Sequence, residues 1–148
     1  MQRISAGLVF LAITLSASAC QSQPQVPPTD TQLPLGPATQ VFADDLRAAG
    51  ANVTTGIRLT QPFFSVGGIV LTVNGEDLHV FEYPDEASAQ SDAALISPDA
   101  NTINGEEMAW LAPPHFYRRG NLMILYMGDD PATLNLTEQI VGKQFAGY

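Results

Sequence analysis

Apolar and polar residues alternate most cleanly between Gly67 and Tyr83, in GGIVLTVNGEDLHVFEY. Two β-rich runs flank Asn74-Gly75, the pair that a two-residue type I′ turn favours because both central residues need positive φ. Such a turn pins the register. Val73 then faces Glu76, Leu71 faces Leu78, Ile69 faces Val80, Val70 faces His79, and Phe81 lies opposite Gly68. One face collects Ile69, Leu71, Leu78 and Val80. The other collects Val66, Val70, His79, Phe81 and Tyr83. The pattern predicts a sheet covered by helices on the first face and partly shielded on the second, with His79 and Phe81 exposed there.

The flanking segments extend this reading. ATQVFADDLRAAG has helical spacing, with Phe42, Leu46 and Ala49 on one side and Gly50 where a helix would end. NVTTGIRLT alternates as a strand with Val53, Ile57 and Leu59 on one side and a weak point at Gly56. YPDEASAQSDAALIS predicts a helix, Asp85 and Glu86 lying at its positive end. SPDANTINGEE reads as a loop. MAWLAPPHFYRRGNLMILYMG predicts two strands around Arg118-Arg119-Gly120-Asn121. The unbroken apolar run Leu122 to Met127 suits a central strand buried on both faces. DDPATLNLTEQIVG opens with Asp130 as N-cap and Pro131 in the first turn, carries Leu136 and Ile140 on one stripe, and stops at Gly142. The predicted order is α-β-β-β-α-β-β-α: an α+β fold with a mainly antiparallel sheet of about five strands packed with helices.

Composition narrows the class. The 148 residues carry a formal charge of −9 and one cysteine. The acidic balance repels nucleic acid and anionic headgroups, so nucleic acid is not an expected partner. With one thiol no disulfide forms within the chain, and residues 38–148 must be held by the packing of one core.

That single thiol is Cys20, at the end of TLSASAC. Arg3 precedes an apolar run from Ile4 to Leu15, and Ser16, Ala17, Ser18 and Ala19 come next. A positive start, a short apolar core and small residues make up a secretory signal, too short to span a bilayer. Because the small residues end in cysteine, ASAC resembles the lipobox of bacterial lipoproteins, although Ala17 stands where that pattern favours Leu. The resemblance covers the first 20 residues only, and residues 38–148 resemble no named family. It implies a signal peptide at 1–19, diacylglycerol on the Cys20 sulfur, and attachment through lipid on the extracytoplasmic side of the cell envelope. Gln21 after the cysteine implies the outer membrane if the cell has one. The alternative is an ordinary secreted protein cut after Ala19, leaving a free thiol open to oxidation.

Residues 20–37 suit a tether. Pro24, Pro27, Pro28, Pro34 and Pro37 punctuate a stretch without aromatics, which favours extended polyproline conformation. At about 3.1 Å per residue it would reach roughly 50 Å. A structured arm around Leu33 and Leu35 is the other reading.

Candidate chemistry is thin, and no cofactor or metal site is expected. Neither His79 nor His115 has a second ligand at a familiar spacing, and no HExxH, GxSxG, GxGxxG or Walker loop occurs. Asp99 to Glu107 fails as a calcium loop: the glycine position is Asn104 and the twelfth is Trp110. Two functional readings remain. One is a non-catalytic binding or protein-interaction module presenting Phe63, Phe64, Trp110, Phe116 and Tyr117 to an envelope protein or small ligand. The other is a small hydrolase or metal-dependent enzyme centred on His115, with Arg118 or Arg119 holding an anion. Convergence of His79, His115 and a carboxylate would favour the enzyme, and an exposed apolar patch without them the module.

Overall fold

The structure, a computed structural model, describes residues 33–148, so the expected signal segment, Cys20 and most of the expected tether lie outside the described residues. In chain order the elements are α1 (Pro37–Ala48), β1 (Val53–Leu59), β2 (Gly68–Val73), β3 (Glu76–Glu82) and α2 (Glu86–Ala93). After them come β4 (Thr102–Ile103), β5 (Glu106–Glu107), β6 (Pro114–Arg119), β7 (Leu122–Met127), α3 (Pro131–Val141) and β8 (Ala146–Gly147). Six strands form one sheet in the order β1-β2-β3-β7-β6-β8, and every neighbouring pair is antiparallel. The protein is α+β, as its patterning predicts. The sixth strand of the sheet is β8, a two-residue addition beyond the expected five.

The β2–β3 hairpin forms in the predicted register. Asn74 and Gly75 have φ of 53° and 98°, and Leu71 pairs with Leu78, Ile69 with Val80, Val70 with His79 and Gly68 with Phe81. Ile69, Leu71, Leu78 and Val80 pack with Phe42, Ala43 and Leu46 of α1, and Leu134, Leu136 and Ile140 of α3 close the same layer. The buried stripe of α1 runs through Thr39, Phe42, Ala43 and Leu46, whereas Ala49 caps the helix and is exposed.

The opposite face is covered more fully than the sequence suggests. Phe81 and Tyr83 are buried with Ala89 of α2, Phe64, Ile96, Ala100 and Ile103, so the expected exposure of Phe81 is wrong and His79 is half-buried. The cover comes from α2, the irregular segment beyond it, and Phe64 in the loop before β2, whose ring meets Phe81 at 4.6 Å. Ala89 is wholly buried, and an alanine there lets the helix lie close to the sheet. Strand β7 is flanked by β3 and β6 and buried on both faces from Leu122 to Tyr126.

Two local features depart from the sequence reading. In β1 the register slips between Thr55 and Arg58, so that Thr55 pairs with Leu71 and Arg58 with Ile69. Two residues thus oppose Val70, a β-bulge that reverses the facing of the rest of the strand. Val53 remains in the helix-side core, Leu59 turns to the other core, and Ile57 is 71% exposed instead of sharing their side. The segment expected as a loop contains the small β4–β5 hairpin, turned by Asn104 and Gly105 at φ of 53° and 79°. Its Ile103 drops into the core.

Helix ends are settled by side chains. Asp130 caps α3 by accepting from the Thr133 amide at 2.7 Å, and Asp85 caps α2 by accepting from the Ser88 amide at 2.7 Å. Helix α1 has no cap of its own. Glu82, at the end of β3, accepts instead from the amides of Ala38 and Thr39 and from the Thr39 hydroxyl, at 3.2, 2.9 and 2.7 Å. Gly36 allows that approach, since a Cβ there would collide with the Glu82 carboxylate. Just before it, Leu35 packs on the helix-side core and the Pro34 carbonyl accepts from Arg58 at 3.2 Å.

Candidate functional site

The sheet separates the two histidines. His79 pairs with Leu125 and His115 with Tyr126, adjacent residues of β7 whose side chains point to opposite faces. His115 is 5% exposed and stacks on Tyr126, with ring centroids 6.0 Å apart and planes at 23°. Its Nδ1 lies 2.6 Å from Gln144 Oε1, and the Gln144 amide nitrogen donates to the Tyr148 carbonyl. That donation fixes the amide so that Nδ1 must be the donor, leaving a packed ring aimed by Gln144. Burial holds the His79 imidazole below its usual range, with nearby Asp77 opposing. Among the described residues no group of three or more His, Cys, Asp or Glu side chains could hold a metal ion.

The arginines do not converge on His115 either. Arg118 reaches over the α2 face to Glu86 at 3.1 Å, and Arg119 reaches over the α1 face to Asp45 at 2.6 Å. Asp99 is engaged within its own turn, accepting from the Ser97 hydroxyl and the Asn101 amide, which hold its carboxyl below the usual range.

The predicted aromatic set divides. Phe116 and Tyr117 are fully buried on opposite faces of the sheet and Phe64 is 7% exposed, so these three belong to the cores and not to a surface patch. Their apolar bulk builds the interior. Phe63 and Trp110 sit above Phe64 and Phe116, half-buried, with ring centroids 6.3 Å apart at 77°. Trp110 meets Phe116 edge-on at 5.7 Å, and its indole N–H donates to the Ala100 carbonyl at 2.7 Å. Ala100 is buried with φ of 53°, a left-handed conformation uncommon for a residue with a side chain. The turn that imposes it supplies the carbonyl that holds the indole.

Beside Trp110 opens a groove of about 340 Å³, lined by Asn101, Met108, Trp110, Ala112, Pro113 and Tyr148. Across Met108 lies a smaller one of about 130 Å³, whose lining includes Phe63, Ile103 and Glu106. Two bonds fix the walls: the Met108 amide donates to the Asn101 carbonyl at 2.9 Å, and the Tyr148 hydroxyl to Asn101 Oδ1 at 2.9 Å. Leu111, next to Trp110, is 100% exposed. Sequence reasoning finds Phe63 and Trp110 but misses Asn101, Met108 and Tyr148, which carry no local motif and meet only through the fold.

A roomier cleft, about 420 Å³, lies between the start of α1 and the ends of β1 to β3. Its charged side chains are occupied internally, Glu82 by the α1 amides and Arg58 by the Pro34 carbonyl. The groove at Trp110 is therefore the stronger binding candidate. No protein-family model, curated protein or solved structure matches the chain.

Proposed function

We propose that this protein is a bacterial lipoprotein, anchored through Cys20 on the extracytoplasmic side of the envelope, whose folded domain is a non-catalytic binding module. Its ligand lies in the groove between Met108, Trp110 and Tyr148. The anchor rests on the ASAC pattern and the proline-rich segment after it. The observation that carries the binding role is a half-buried tryptophan locked by its N–H to Ala100, beside a flexible methionine and an open groove. A rigid aromatic loses little conformational freedom when it is covered, and a methionine adapts to what covers it. The enzyme reading has no comparable support: His79 and His115 lie on opposite faces, and Arg118 and Arg119 are paired elsewhere.

Trp110 is the chain's only tryptophan, so its emission reports on the groove. Short apolar peptides of varied charge, titrated into the protein in a non-ionic detergent, are expected to shift that emission saturably for at least one member. Trp110→Phe with Met108→Ala should weaken binding, measured by calorimetry. A flat emission across the whole set counts against the binding role.

A further inference from the structure

Resting on that binding role, we infer that the groove takes a polypeptide segment presenting a lysine or arginine beside an apolar side chain. The first argument is which polar atoms are left to face a ligand. The Trp110 N–H is spent on the Ala100 carbonyl and the Tyr148 O–H on Asn101 Oδ1. Trp110 therefore offers its ring, and Tyr148 offers the lone pairs of a phenol whose proton points inward. Pro113 has no amide hydrogen to offer. These are electron-rich surfaces, suited to a ligand that donates.

Charge points the same way. Glu106 lines the adjoining groove and Glu107 is next to it in β5; both are exposed, and neither forms an ion pair among the described residues. Arg47, Arg118 and Arg119, by contrast, are paired to Asp44, Glu86 and Asp45. No lysine or arginine lines either groove. A carboxylate on a groove wall, as Glu106 is, attracts a cationic ligand over a Debye length of about 8 Å.

The apolar character supplies the rest. A guanidinium or ammonium group is attracted to an indole face. Its aliphatic stem packs on apolar side chains such as Met108. Two hollows sharing Met108 as a divider accept neighbouring side chains of one segment better than a single small ion. A peptide with one basic and one apolar side chain satisfies both hollows.

The probes are Ac-Leu-Arg-Leu-NH₂, its Gln and Glu counterparts, and free arginine amide, titrated against the intact protein in non-ionic detergent with Trp110 emission as readout. The Arg peptide should bind saturably, more tightly than the Gln peptide, and weaken as salt is raised. The Glu peptide should leave emission unchanged. Glu106→Gln with Glu107→Gln should weaken the Arg peptide by about fivefold without lowering the thermal midpoint. Equal binding of the Gln and Arg peptides overturns the cationic ligand and leaves the binding role intact. Equal binding of arginine amide and the Arg peptide overturns the polypeptide. Silence with all four probes while a peptide of the wider set shifts Trp110 emission overturns the inference alone, and silence across both sets removes the binding role as well.

Discussion

A Cβ built on Gly75 would have no heavy atom within 4 Å, yet the residue has φ of 98°. Strain alone therefore sets the effect of a substitution there. Gly75→Ala should cost about 1 kcal/mol, and Gly75→Val more because of its branching. Denaturant midpoints will show it, and an unchanged midpoint would mean the turn is not type I′. At His79 the relevant variable is pH. Burial depresses the folded-state pKa. As pH falls through about 6.5 the unfolded chain takes up a proton that the folded ring resists, so stability declines below that value and not above it. Thermal midpoints measured from about pH 7.5 to 5.5 should fall, and His79→Gln should flatten the slope. An identical slope in the variant would locate the effect elsewhere. Phe81, two positions along the same strand face, shows how far a residue's setting depends on its cover: Phe64, α2 and the segment after it bury what the strand pattern leaves open.

Among the elements, the β2–β3 hairpin was legible because Asn74-Gly75 and a period of two make the same demand over adjacent residues. The same signal stands in Asn104-Gly105, where the flanking strands are two residues each and too short to display a period. Strand β8 is equally short and exists by pairing with His115 and Phe116, far away in sequence. The bulge in β1 was visible only as a glycine, since the direction of the slip is decided by β2. It yields a test of facing. Ile57→Ala should change stability by no more than about 0.5 kcal/mol, as for an exposed site. Leu78→Ala, in the core, should cost about 2–5 kcal/mol. A large loss at Ile57 would restore the unbulged strand.

For the molecule as a whole, the fold class was legible because it is written in periodic pattern along each element. The groove was only half legible. Trp110 and Phe63 draw attention by residue type, but Asn101, Met108 and Tyr148 join them through two loops and the end of the chain's last strand. The burial of Phe116 and Tyr117 arises from their alternation on β6, with a covered face on either side. Attachment is the property to test at this scale. One acyl chain binds a membrane marginally and two hold it firmly. Cys20→Ser should remove lipid labelling and shift the protein from the detergent phase to the aqueous phase, or leave the precursor uncleaved. A processed variant that partitions with membranes as the wild type does would end the lipoprotein reading.

Glu82 gives the domain a mechanical property. The chain preceding the fold enters it at Gly36 and α1, and the amides of Ala38 and Thr39 are fastened to the last residue of β3. A pull along the N-terminal chain meets that latch before it can unwind α1 from its first turn. Strand β3 lies between β2 and β7, so the load on that latch passes into the middle of the sheet, while the Pro34 carbonyl on Arg58 carries part of it to the edge strand β1. Tension arriving from that end thus meets the sheet at its edge and at its middle, both on the side that carries α1, and the groove at Trp110 lies on the opposite face.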